Sequence, residues 1–324
     1  MEHRMGAPVK NHSSVQERMM DSPDISVVIP AYQSEQFIEA CIRSVLQHDC
    51  VKQVVVADDA STDDTAAIIQ RLAEEDQRVE YTTHADGKNK GAGPTRNLAI
   101  GVCRYAWIAF LDADDLWLPE RFDQTFSVLH AYPDADGVYE CLGIQFDTEE
   151  AEQQWMERHG YTLTTLQERV EPESLIFSMA PLGNKGWFSG DALLVKRTML
   201  EVCGGYSDLR LSQDTELFMK LAVKGRLYPG NINTPVALRR VHGNNRITTS
   251  PERFYAHRLI LWKQFSDWCL QEKLHGKLLQ KVWLMRTHDI LVYVRWVPGN
   301  LARFIFTWRS LRPMLHPRWL KTFF

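Results

Sequence analysis

The 324-residue sequence contains no apolar run approaching the roughly 20 residues that a membrane-crossing helix needs, so a spanning segment is not expected. It has no C-x-x-C pair. Its six cysteines, Cys41, Cys50, Cys103, Cys141, Cys203 and Cys269, are scattered, mostly in apolar contexts. That spacing excludes the usual zinc and redox motifs and fits reduced core residues of a cytoplasmic protein. No excess of basic residues is present either. The net charge is -4, which gives no global field for nucleic acid. No apolar core segment occurs in residues 1–22, so a secretory signal is not expected, and the polar stretch 1–23 reads as disordered.

What is present is an alternation. Ile25-Ser26-Val27-Val28-Ile29, stopped by Pro30, reads as a buried strand. Ser34 follows as the cap of a helix with Phe37, Ile38, Cys41, Ile42, Val45 and Leu46 on one stripe. Gln53 to Ala57 is a second strand, ending in Asp58-Asp59-Ala60-Ser61-Thr62-Asp63-Asp64-Thr65. Ser61 and Asp64 have the spacing of a capping pair, whereas capping does not require both Asp58 and Asp59. Val79-Glu80-Tyr81 is a short third strand. The polar loop 86–93, with three glycines, then leads into Pro94-Thr95-Arg96-Asn97. Such a loop leaves backbone amides for anions, and Lys88, Lys90 and Arg96 favour the same charge. The pattern predicts an α/β fold with a mostly parallel sheet.

The run Trp107 to Leu111 reads as a strand buried on both faces, and it stops at Asp112-Ala113-Asp114-Asp115. On extended backbone, residues two apart point the same way, so Asp112 and Asp114 are expected to present paired carboxylates at the strand's carboxyl end, where open α/β sheets bind ligands. Oxygen ligands of this kind suit Mn²⁺ or Mg²⁺ shared with substrate phosphates. A solvated turn capping a helix near Pro119 fits the same residues.

Taken in order, Ser26 to Tyr32, Val55 to Asp63, Arg96-Asn97, Leu111 to Asp115, Gly204-Gly205-Tyr206 and Gln213-Asp214 resemble the family 2 glycosyltransferases. The resemblance covers about residues 24–245. Gln33 and Gln213 depart from it, standing where the family commonly has Asn and Glu. It implies the GT-A fold: a Rossmann-like nucleotide-binding half with a mixed sheet. It also implies an inverting, metal-dependent glycosyltransferase that moves a sugar from a nucleotide-diphospho sugar, UDP-sugar first, to an acceptor hydroxyl. The setting implied is polysaccharide or glycolipid synthesis. By this resemblance Pro30, Ala31, Tyr32, Asp59, Arg96, Asp112 and Ala113 bind the donor. Asp59 takes the uracil N3–H, and Arg96 faces the uracil or the phosphates, unless it pairs with an Asp. Asp114 and His242 hold the metal, and Asp214 is the general base, unless it only caps a helix. A nucleotide-sugar-binding protein of the same fold without catalysis is the alternative, with Gln213 as its best support.

The second half breaks the alternation. Leu116 to His130 is amphipathic, Glu149 to Glu173 is a charged insertion, and Trp187 is either a sugar platform or a packed residue. The expected boundaries are a catalytic domain over 24–249 and a helical extension over 250–324. From Arg295 onward the chain has Arg303, Arg309, Arg312, Arg318 and Lys321, no acid, and interleaved aromatics. Two readings fit: a peripheral helix at the inner face of the membrane, or a cap on the domain.

Overall fold

The computed structural model describes residues 22–160, 162–241 and 250–311. The alternating first part forms β1 (Ile25–Ala31), α1 (Ile38–Leu46), β2 (Val51–Asp58), α2 (Thr65–Glu75), β3 (Val79–Thr83), α3 (Ala92–Val102) and β4 (Trp107–Phe110). β1 pairs in parallel with β2 and β4, and β2 with β3, so four carboxyl ends share one edge. The β-branched runs are buried on both faces because helices cover both. On α1, Ile38, Cys41, Ile42 and Val45 fill the predicted stripe. All six cysteines are free thiols, five of them buried.

The second part contributes β5 (Leu116–Trp117), α4 (Asp123–Ala131), β6 (Gly137–Tyr139), β7 (Cys141–Phe146), α5 (Glu149–His159) and α6 (Pro172–Ser178). Then come β8 (Leu193–Lys196), α7 (Arg197–Cys203), α8 (Gln213–Lys224), β9 (Leu227–Pro229) and β10 (Pro235–Val241). Among the described residues the main sheet has seven strands in the order β3-β2-β1-β4-β8-β6-β9. β8 runs antiparallel to β4 and β6, which makes the sheet mixed. β5, β10 and β7 form a second, three-stranded sheet.

Three local expectations are corrected. Ser34 does not cap α1 through its side chain; its carbonyl accepts from Phe37 and Ile38, and its N–H donates to Thr65 Oγ1 at 2.8 Å. Ser61 and Asp64 do not form a capping pair. Ser61 Oγ accepts from the Gln33 N–H at 3.0 Å, and the Thr65 N–H goes to Asp63 at 3.1 Å. Gln33, with φ +52°, also accepts from Thr62 N at 2.8 Å, so side chains here stitch the loop after β1 to the loop after β2. The helical pattern from Leu116 is overruled at its start by pairing of β5 with β10, and the helix begins only at Asp123.

The chain ends its described part with α9 (Pro251–Gln271), α10 (Lys277–Tyr293) and α11 (Asn300–Leu311). Leu261, Trp262, Phe265 and Cys269 of α9, with Leu279 and Val282 of α10, join the same core as Leu217 and Leu221 of α8. α11 differs: Phe304 and Trp308 are 68% and 53% exposed. Trp262 is fully buried, so Trp262→Ala should cost about 3–5 kcal/mol. Thermal unfolding should remain a single transition at lower temperature. Two transitions, with the one for residues 25–241 unmoved, would show that α9 and α10 fold independently.

Candidate active site

The carboxyl edge of the sheet gathers the acids. Leu111 N–H still donates to Val28 (3.1 Å), but Asp112 carbonyl then accepts from the Asp115 N–H at 3.0 Å. That turn ends the extended geometry that would have paired Asp112 with Asp114. It brings Asp112 and Asp115 together instead. Asp191, from the short turn before β8, completes a triad. Its Oδ1 accepts from the Asp112 N–H at 3.0 Å and its Oδ2 from Ser189 Oγ at 2.9 Å. Oxygens of Asp112, Asp115 and Asp191 lie within 4.8 Å of one another. Three hard oxygen donors at this separation fit Mg²⁺ or Mn²⁺. Asp114 stands beside the triad, close enough for its charge to act on Asp115. His242 lies outside the described residues.

Burial raises the pKa of Asp191 to about 6, and the neighbouring Asp112 charge adds to the rise; Arg239 opposes it. Asp115 is pushed well above the carboxylate range by burial and by Asp191, Asp114 and Asp112. A divalent cation would relieve this crowding of like charge.

Arg96, on α3 and almost fully buried, ties the triad to α8. Its Nη2 is 2.5 Å from Asp112 Oδ1 and its Nη1 is 3.4 Å from Asp214 Oδ1. With its amide oxygen turned to Arg96, Gln213 accepts from the same Nη1 at 3.3 Å. The Tyr206 ring lies 5.2 Å from the guanidinium carbon. The next residue fixes that ring: Asn97 Nδ2 donates to the Tyr206 carbonyl and Asn97 Oδ1 accepts from its N–H, at 2.7 and 2.9 Å. A Cβ on Gly205 would lie 2.7 Å from Asn97 Oδ1, so the Arg-Asn and Gly-Gly-Tyr motifs are two halves of one clasp. Arg96 makes the ion pair with an Asp that was one of the two expectations for it, and it also lines the cavity described below.

Asp214 is not the cap of α8. Ser212 holds the N-cap position with φ +64°, and Asp214 lies in the first turn, where the helix dipole favours a carboxylate. Its side chain lines a cavity and keeps 45% of its surface exposed. Loss of bulk water raises its pKa, Arg96 pulls it back, and Asp112 adds to the rise.

That cavity, about 430 Å³, is lined by Arg96, Asp112, Asp191, Asp214, Trp187 and Arg239, among others. Trp187 is thus half-open to it rather than packed away. The donor-base residues lie apart from it. Pro30 and Ala31 end β1, Tyr32 is 42% exposed beyond them, and the Asp59 N–H donates to the Ala31 carbonyl at 2.8 Å. Ala113 is buried in the turn after β4. Asp59 carries a correction. Its two oxygens accept from the Lys90 and Gly91 N–H groups at 2.7 and 2.8 Å, so these glycine-loop amides serve Asp59 and are not left for phosphate. Sequence reading missed Asp191, 79 residues from Asp112 with no spacing signal, and missed the wall contributed by α9. The latter has a signal, since Phe254, Arg258 and Leu261 fall on one helical stripe.

Residues 26–186 match the family model described as glycosyl transferase family 2. The chain belongs to this family. An Escherichia coli relative, a UDP-Glc:α-D-GlcNAc-diphosphoundecaprenol β-1,3-glucosyltransferase, is 33% identical over 111 residues, which is 34% of this chain and 42% of the relative. The match thus spans less than half of that protein. Among solved structures, TarS of S. aureus with UDP-GlcNAc superposes with TM-score 0.56 at 17% identity, covering 92% of this chain and 79% of that one. The mannosyltransferase PcManGT from Pyrobaculum calidifontis, with GDP-Man and Mn²⁺, gives 0.51 at 17%, covering 95% and 88%. Both likenesses show the GT-A fold.

The triad makes a pH prediction for this family member. The folded pKa of Asp191, about 6, stands above its ordinary 3.8, so its stabilising contribution is complete below 3.8 and is lost as pH rises through about 6. Without divalent cation, the melting temperature should decline across that window, and Asp191→Asn should flatten the decline. Metal ligands bind deprotonated, so protection by Mn²⁺ should grow from about pH 5 to pH 7. Equal protection at both ends, or protection undiminished in Asp191→Asn, would remove Asp191 from the ligand set.

Proposed function

We propose that the chain is an inverting transferase that moves a sugar from a UDP-sugar to an acceptor hydroxyl, with Asp214 as general base. The observation that carries this is the placement of Asp214 and the acidic triad on one cavity, joined through Arg96. The donor diphosphate belongs at the triad. Asp112, Asp115 and Asp191 would hold Mn²⁺ or Mg²⁺ there, with Asp114 beside them, and the ion would neutralise charge on the departing diphosphate. Tyr32 lies open for stacking on the base, and Asp59 keeps lone pairs for uracil N3–H beyond those that hold the glycine loop. Asp214, with its raised pKa, takes the acceptor proton as the hydroxyl attacks the anomeric carbon opposite the diphosphate. The UDP in the donor of the bacterial relative and in the TarS complex supports the nucleotide, and the Mn²⁺ of the mannosyltransferase complex supports the ion.

The acceptor side fits a lipid-linked sugar in polysaccharide or glycolipid synthesis, as in the name of the bacterial relative. Such an acceptor sits at a membrane surface. No helix among the described residues is long and apolar enough to cross one, whereas α11 exposes Phe304 and Trp308 next to Arg303 and Arg309. We place α11 on anionic lipid, with its aromatic side at the acyl boundary.

Two outcomes follow. Asp214→Asn should slow transfer about a hundredfold or more while UDP affinity and melting temperature stay near wild type. Transfer at the wild-type rate would assign the base elsewhere, and wild-type UDP binding with no turnover of any nucleotide sugar would favour a binding protein. For the membrane contact, Phe304→Glu/Trp308→Glu should cut partitioning into vesicles containing phosphatidylglycerol without changing UDP affinity. Unchanged partitioning would leave α11 without a lipid role.

A further inference from the structure

Helix α9 begins beyond the residues matched to the family, yet it supplies Phe254, Arg258 and Leu261 to the cavity that holds Asp112 and Asp214. These residues are spaced i, i+4 and i+7, so one face of the helix forms one wall. We propose that this wall reads the acceptor, and that Arg258 receives an anionic group, phosphate or carboxylate, carried on the acceptor next to an apolar or sugar surface. The proposal rests on the transferase reading above.

The arrangement of charge singles out Arg258. Of the three arginines lining the cavity, Arg96 is engaged by Asp112 and Asp214. Arg239 acts on Asp191, Asp115 and Asp214, lowering the pKa of each. Arg258 has its carboxylate partner outside the cavity lining: its Nε is 2.8 Å from Asp289 Oδ2 on α10. Asp289 is fully buried and is held in turn by Trp262 Nε1 at 2.6 Å and by His288 Nδ1 at 3.1 Å. The guanidinium carbon also lies 5.4 Å from the Phe254 ring and 5.8 Å from those of Tyr255 and Trp262. Asp289 and the aromatics therefore hold the guanidinium from its Nε side, through an ion pair and ring contacts rather than a hydrogen bond from Nε. Among the described residues, neither Nη nitrogen makes a hydrogen bond. A fixed guanidinium with its outer edge open is matched to the paired oxygens of phosphate or carboxylate. Phe254, Leu261 and Met179 supply apolar surface on the same cavity.

The test is calorimetric titration with decyl phosphate, decyl glucuronide and decyl glucoside, each with UDP and Mn²⁺ saturating so that the donor site is filled. At least one anionic compound should bind wild type about tenfold or more tighter than the glucoside, as expected for a hydrogen-bonded charge. Preference for the phosphate or for the glucuronide names the anion. Arg258→Gln should abolish the preference and leave UDP and glucoside affinity unchanged. Because Arg258→Gln strands a buried carboxylate, Arg258→Gln/Asp289→Asn provides a neutral pair that should show the same loss. Asp289→Asn alone should weaken anion binding without abolishing it, as a positioning residue would. No anion preference in wild type, or a preference that survives both Arg258 variants, overturns the proposal. UDP is titrated separately, so failure of UDP to bind would count against the transferase reading rather than against the α9 wall.

Discussion

One buried guanidinium, that of Arg96, joins the two chemical halves of the molecule. It contacts a carboxylate from the end of β4 and another from the first turn of α8. An arginine this buried persists only when its charge is matched, and the two aspartates would repel each other without it. Arg96 is itself positioned from both sides, by the Tyr206 ring and by the Asn97 clasp on Gly205-Tyr206. Motifs distant in sequence therefore depend on one another. Gln213 fits the same logic. Arg96 already meets two carboxylates, and a neutral amide oxygen completes its contacts without adding a third negative charge.

The fold was legible where local chemistry and burial agree. The β-branched runs at residues 25–29 and 53–57 and the apolar run at 108–111 are buried on both faces, and nothing in the tertiary structure competes with that pattern. The site was legible as a set of motifs at strand ends, but the grouping of its carboxylates was not. Alternation along a strand predicts Asp112 with Asp114; a single turn hydrogen bond, from Asp115 N–H to Asp112 carbonyl, replaces it with Asp112 and Asp115. Asp191 lay hidden because its partnership with Asp112 crosses 79 residues through the antiparallel strand β8, and long-range pairing leaves no periodic trace. The glycine-rich loop misled for a related reason. Its amides suit an anion, and the anion it meets is the protein's own Asp59.

The α/β half and the later helices have different mechanical roles. Strands β1, β2 and β4 are buried and hydrogen-bonded along their lengths, so their ends place Tyr32, Asp59 and Asp112 on a rigid edge. The cavity that holds Asp214 is instead closed by elements from late in the chain: the loop carrying Trp187, the start of α8, and α9.

The most direct measurement is anomalous scattering at the manganese edge from crystals grown with UDP and Mn²⁺. The arrangement predicts a peak within coordination distance of Asp112, shared with Asp115 or Asp191 and bridged to the UDP phosphates. A peak at another group of side chains, with UDP bound and the triad making no metal contact, would contradict it.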